Sequence, residues 1–136
     1  MTLLIIDADL DIAARTLWGE ARGETYQSQK AVAHVIINRT RSERFGRDTC
    51  IAATCLRWRQ FSAWNTDDPN AARMKRLTAG DAAYRQCRRA VEEALAESDF
   101  THGATHYHTK EIEPSWSDGK LPCFGEGGHV FYNDID

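Results

Sequence analysis

The chain has 136 residues, 42% of them apolar and 27% charged, with a net charge of −3. This suits one domain with one core and excludes extended disorder. No apolar run approaches the roughly eighteen residues of a membrane-spanning helix, so no stable membrane insertion is expected.

The charge is unevenly spread. Residues 39–89 hold twelve Arg and Lys against five acids, and residues 90–136 hold two Lys against ten acids. A basic middle can face an anionic partner such as nucleic acid, an acidic polymer or a phosphate-rich surface, or it can simply be a set of solvated helix faces. The four cysteines, Cys50, Cys55, Cys87 and Cys123, form no CxxC pair, which argues against a structural zinc site. Cys50 and Cys87 fall on apolar faces and read as buried thiols, and the spacing does not decide whether any disulfide forms.

Residues 1–8 read as a short strand or an ordered lead-in. The apolar start has no basic flank and acids follow at once, so it does not read as a secretory signal. Asp9 or Asp11 can cap a first helix running to about Trp18, with Leu10, Ala14, Leu17 and Ala21 at helical spacing. Gly19 and Gly23 flank Glu20, which predicts that this helix weakens or ends there. A second helix is predicted from about Tyr26 to Asn38, its core stripe built from Ala31, Val32, Val35 and Ile36. After a polar loop, Asp48 or Thr49 can cap a short helix from Cys50 to about Leu56. Trp58, Phe61 and Trp64 follow among polar groups with no clean period.

Asp68-Pro69 reads as a cap followed by proline at the first helical position, starting a helix to Leu77. The last long helix is predicted from Asp81 to Ser98, burying Ala83, Cys87, Ala90, Val91, Ala94 and Leu95. Beyond Phe100 the segments THYHT and HVFYN read as short strands, with Pro114, Gly119, Pro122 and Gly125 to Gly128 in turns. The expected fold class is mainly α (α+β), with a small β or irregular C-terminal part.

Glu20 is the first chemical candidate. A carboxylic acid half-buried where a core helix emerges has a raised pKa and can protonate the leaving oxygen of a glycosidic bond. Trp18 is close enough in sequence to supply an apolar wall, and the alternative is a solvated helix-end glutamate. Glu24 can support Arg22, cap the Tyr26 helix or assist a water. Trp58, Phe61 and Trp64, with Gln60, Ser62 and Asn65, suit a carbohydrate groove, in which flat sugar faces meet aromatic rings. The same residues suit core packing, and Trp116 and Tyr132 pose the same choice. His106, His108 and His129, with Glu111 or Glu113, make a conceivable metal set, but there is no HExxH. GxSxG, Walker and dinucleotide motifs are absent, and the arginines form no recognition helix.

Taken together, ARTLWGEARGE, AVAHVIINR, CIAATCLRWRQFSAW, ATHYHTKEIEPSW and GGHVFY resemble the cell-wall hydrolase family of spore cortex-lytic enzymes, whose phage members are endolysins. The resemblance covers about Ala13 to Tyr132. It implies a lysozyme-like, mainly helical single catalytic domain over residues 1–136. It also implies cleavage of the β-1,4 bond between N-acetylmuramic acid and N-acetylglucosamine, as a lytic transglycosylase.

By this resemblance the essential acid falls on Glu20 and the second acid on Glu24. The substrate-binding block falls on Gln60, Phe61, Ser62 and Trp64, and further contacts on Tyr107, His108, His129 and Tyr132. Ala63 separates Ser62 from Trp64, where the family pattern has Trp directly after Ser. Arg57 and Arg59 can hold anionic groups of the wall. The expected partner is bacterial peptidoglycan, with no nucleic acid, no metal and no cofactor, and the protein is expected to be a monomer. Without room for a separate wall-binding domain, the chain matches a compact phage lysin made in the cytoplasm and acting on the wall after release. The alternatives are a hydrolytic muramidase, a zinc-dependent amidase and a non-catalytic wall-binding module.

Overall fold

The computed structural model describes residues 4–42, 50–57, 61, 64–65 and 68–135. Among the described residues five helices come first: α1 (Asp7–Ala21), α2 (Tyr26–Arg41), α3 (Ile51–Leu56), α4 (Ala71–Lys75) and α5 (Ala82–Ala96). Strand β1 (His106–Thr109), a 3-10 turn (Ser115–Ser117), β2 (Phe124–Glu126) and β3 (His129–Tyr132) follow. This is the expected mainly helical fold with a small C-terminal sheet. Among the described residues no helix is long and apolar enough to cross a membrane.

α1, α2 and α5 pack on one another, with α3 and α4 against α1. Ala14, Leu17, Ala31, Val32, Val35, Cys87 and Ala90 lie fully buried between them. The alanines let helix backbones approach closely, and each buried Leu, Val or Ile stabilises the fold by about 1.5–3 kcal/mol. On α5 the buried stripe is shifted from the expected one. Ala83 is exposed, and Tyr84 turns inward to donate to Asp11 Oδ1 at 2.6 Å.

α1 is longer than the expected helix ending near Trp18, and its ends explain why. Asp9 sits inside the first turn rather than before it. Its Oδ2 accepts from Ile6 N–H at 3.0 Å and its Oδ1 from Ala52 N–H at 2.9 Å, so one buried carboxylate serves the starts of α1 and α3. The expected α3 caps, Asp48 and Thr49, lie outside the described residues. At the other end Gln29 Nε2 donates to Ala21 O at 3.1 Å and Arg22 to Trp18 O at 3.2 Å. These bonds satisfy the last carbonyls, which offsets the helix-weakening effect of Gly19. Glu20 is therefore in the final turn of α1.

α2 begins at a Thr25 cap, whose side chain accepts from Ser28 N–H at 3.0 Å, and runs three residues past the expected Asn38. α4 is shorter than expected. Asp68 accepts from Asn70 N–H at 2.8 Å in a turn, so Asn70 is the cap and Pro69 precedes the helix.

The sheet is antiparallel with order β1-β3-β2. Strand β2 falls where turns were expected. Only Gly127 and Gly128 form the turn, with Gly127 at φ 58, a left-handed value that suits glycine. Asp99 organises the approach to β1 by accepting from Thr101 N–H at 2.7 Å and Gly103 N–H at 2.9 Å. From α2, Asn38 donates to Ala104 O at 2.9 Å and Arg39 Nε to Thr105 O at 2.7 Å. These bonds fix where β1 begins.

Candidate active site

Side chains alternate along β1, so His106 and His108 share one face and Tyr107 points to the other. Register places Tyr107 beside Phe131 and Phe131 beside Phe124, with His129 on the same side. This inner face meets the helices. The Tyr107 O–H donates to Glu20 Oε1 at 2.5 Å, joining positions 87 residues apart. Burial first, and then the charge of and bond to Glu20, push the Tyr107 phenol well above its ordinary value. It therefore stays a donor.

Behind them lies Arg39, 8% exposed, with its guanidinium 5.0 Å from the Phe61 ring centroid. Burial lowers its pKa, while Tyr107 and Glu20 act the other way. Glu20 thus sits within the field of a buried cation.

Glu20 and Glu24 line one open cavity of about 300 Å³ at the end of α1, together with Gly19, Arg22 and Gly23. Trp18 is not its wall. Two residues along a helix turn about 200°, which carries Trp18 to the far side. There it is 5% exposed between Arg22 and Arg73, whose guanidinium carbons lie 4.0 and 5.4 Å from its ring.

Glu24 is neither the cap of α2 nor the partner of Arg22 that the sequence suggested. Thr25 caps the helix, and Arg22 bonds Trp18 O and Asn70 Oδ1. Glu24 Oε1 instead accepts from Gly128 N–H at 2.8 Å. His129 is 1% exposed, with Nδ1 2.8 Å from Ser28 Oγ and 3.9 Å from Glu24 Oε1, and its ring meets Tyr107 edge-on at 5.2 Å. Enclosed in this way, it faces protein on all sides.

The outer face carries a different group. His108 stacks on Tyr132 at 5.4 Å, and Trp116 meets Tyr132, His106 and His108 at 5.3, 5.3 and 5.7 Å. His108 Nδ1 lies 2.7 Å from Thr109 O and must donate there. In the neutral ring, Nε2 then accepts from the Tyr132 hydroxyl at 2.9 Å. An open cavity of about 520 Å³ beside them is lined by His108, Lys110, Glu113, Lys120 and Tyr132 among others.

The structure therefore separates the four C-terminal site candidates. Tyr107 and His129 face the helices, and His108 and Tyr132 face outward. The same division takes His129 away from His106 and His108, and no group of three metal-ligating side chains converges among the described residues.

In the aromatic block, Phe61 is a core residue at 2% exposure. Trp64 is half-buried and donates from Nε1 to Thr16 Oγ1 at 2.7 Å. Gln60, Ser62, Trp58, Ala63 and Arg59 lie outside the described residues, and Arg57 is half-buried. Cys55 and Cys87 are fully buried and Cys50 is half-buried. All four cysteines are free thiols, and burial pushes both Cys55 and Cys87 to about 12.

Sequence reasoning missed Ser28, Arg39 and Gly128. The one local signal was the HYH alternation, which implies that Tyr107 points away from both histidines.

A family described as Cell Wall Hydrolase matches residues 23–132. The match begins three residues after Glu20. The spore cortex-lytic enzyme of Halalkalibacterium halodurans is 33% identical over 130 residues, covering 93% of this chain and 35% of that protein. The chain thus spans about a third of the length of the curated relative it matches. The catalytic domain of the Bacillus cereus SleB protein superposes with a TM-score of 0.77 at 26% identity, over 96% of this chain and 94% of that one. The catalytic domain of the germination-specific lytic transglycosylase SleB from Bacillus anthracis gives 0.75 at 26% identity, over 96% and 98%.

Proposed function

The chain belongs to the cell-wall hydrolase family, and on that premise we propose that it cleaves peptidoglycan as a lytic transglycosylase with Glu20 as its single acid–base group. The supporting observation is the Tyr107–Glu20 bond at an open cavity, where the end of a buried helix meets the sheet. With Oε1 accepting from Tyr107, the acid proton belongs on Oε2.

In this reading Glu20 gives that proton to the glycosidic oxygen between N-acetylmuramic acid and N-acetylglucosamine, and the C1–O bond breaks. The muramoyl C6 hydroxyl then bonds to C1 of the oxocarbenium-like state, and its proton returns to the Glu20 carboxylate. The product is a 1,6-anhydromuramoyl end, formed without a water. The outer aromatic group, with His108 and Tyr132, is read as a platform for the saccharide. A hydrolytic outcome is the second reading, because Glu24 lines the same cavity as Glu20.

The test is digestion of purified peptidoglycan by wild type and Glu20→Gln, with products read by mass spectrometry. Anhydromuropeptides are expected from wild type, and removing the general acid lowers the rate by about 10²–10⁴-fold. Reducing muramic acid ends would replace transglycosylation by hydrolysis. Free stem peptides, or an unchanged variant, would overturn the reading.

A further inference from the structure

We infer that Glu24 is a positioning residue: it latches the β2–β3 turn to the end of α1 and thereby holds Tyr107 on Glu20. The inference rests on the reading of Glu20 as the acid.

The latch runs through a single residue. Gly128 N–H donates to Glu24 Oε1 at 2.8 Å, and Gly128 O accepts from Lys110 N–H at 2.8 Å. Lys110 follows β1 directly, and β1 carries Tyr107. Glu24 is thus joined by one glycine to the strand that reaches Glu20, and the circuit closes at the Tyr107 hydroxyl. The fit is close on both sides of the turn. A Cβ on Gly128 would lie 3.0 and 3.1 Å from the two Glu24 oxygens, and one on Gly127 would lie 3.1 Å from Oε1. His129 continues the contact, bonded to Ser28 on α2 and edge-on to Tyr107.

A water-activating base needs an oxygen directed at a water on the reacting carbon. Glu24 Oε1 is already used by the turn, and Oε2 lies so close beside it that a Cβ on Gly128 would come within 3.1 Å. The carboxylate is placed for holding, so the internal hydroxyl meets no competing activated water from this side chain.

Glu24→Gln keeps an oxygen for Gly128 N–H but cannot act as a base, and Glu24→Ala loses both. Gly128→Ala crowds the latch while leaving Glu24 intact. Two readouts are taken on variants shown by circular dichroism to be folded: hydrogen exchange of the Gly128 amide, and kcat with product analysis on peptidoglycan.

The latch predicts that the amide loses protection in Glu24→Ala and keeps it in Glu24→Gln. A displaced Tyr107 should cost about 10- to 100-fold in kcat in Glu24→Ala and Gly128→Ala. Glu24→Gln should stay within about threefold of wild type, because a neutral acceptor still fills the bond. Its products should remain anhydromuropeptides. Full protection in Glu24→Ala overturns the latch whatever the activity. Glu24→Gln as inactive as Glu24→Ala, with Gly128→Ala near wild type, overturns it in favour of chemistry at Glu24. If wild type releases no muropeptides, the glycosidase reading fails, and the exchange result still decides the latch.

Discussion

On the inner face of the sheet, Tyr107 and His129 bond helix residues, Glu20 and Ser28, and lie beside the buried Phe131. On the outer face, His106, His108, Trp116 and Tyr132 contact one another and stay part-exposed, apart from the more enclosed Tyr132. Histidine and tyrosine occur on both faces, so residue type does not decide their work. The face does. A short strand with alternating side chains can brace an acid on one side and offer an aromatic surface on the other.

The sharpest test of this division is stability. Phe131→Ala removes a fully buried ring and should cost about 3–5 kcal/mol, whereas Val130→Ala, part-exposed on the outer face, should cost about 1 kcal/mol. Equal losses in denaturant unfolding would mean that the outer face is core as well.

Kinetics offer a smaller and more specific contrast. Tyr107→Phe removes a hydrogen bond to a carboxylate worth about 1.5–3 kcal/mol, so kcat should fall about 10- to 100-fold with KM kept. Trp116→Ala should instead raise KM by about 2- to 10-fold with kcat kept, the value of one aromatic contact. A Trp116 variant that lowers kcat as Tyr107→Phe does would erase the division.

The smallest effect is on pH dependence. Burial lowers the His129 pKa below its ordinary 6.5, with Glu24 and Glu20 opposing that shift and His108 adding to it. The unfolded chain then takes up a proton near 6.5 while the folded ring stays neutral. The stabilisation is complete above that pH and is lost as pH falls through the depressed folded value. Thermal melts should be level from about pH 8 to 7 and decline below about 6.5, and His129→Gln should flatten that decline. Asp11, Glu97 and Asp99 have lowered pKa values, so their losses begin only below about 4.5.

The helices were legible because apolar spacing survives over three or more turns in α1, α2 and α5. Their ends were not, because Gln29 of α2 completes the end of α1 and Asp9 of α1 also serves the start of α3. Strand β2 has three residues, one of them glycine, which is too short for alternation to register. It exists because β3 pairs on both edges. Glu20 was picked out by its place at a helix end and Tyr107 through the resemblance, but nothing local joins positions 87 residues apart. Glu24 was legible as an acid near Glu20. That its partner is a glycine amide could not be read, since any residue but proline has one.

Asp9 has a consequence beyond the helix ends it completes. Its two oxygens serve the amides of Ile6 and Ala52, 46 residues apart, and the carboxylate is almost wholly shielded from water. Opening the first turn of either helix would strand an oxygen that the other still holds in place. The beginnings of α1 and α3 therefore share one opening event. A disturbance at the short α3 reaches the front of the same helix that carries Glu20 in its final turn.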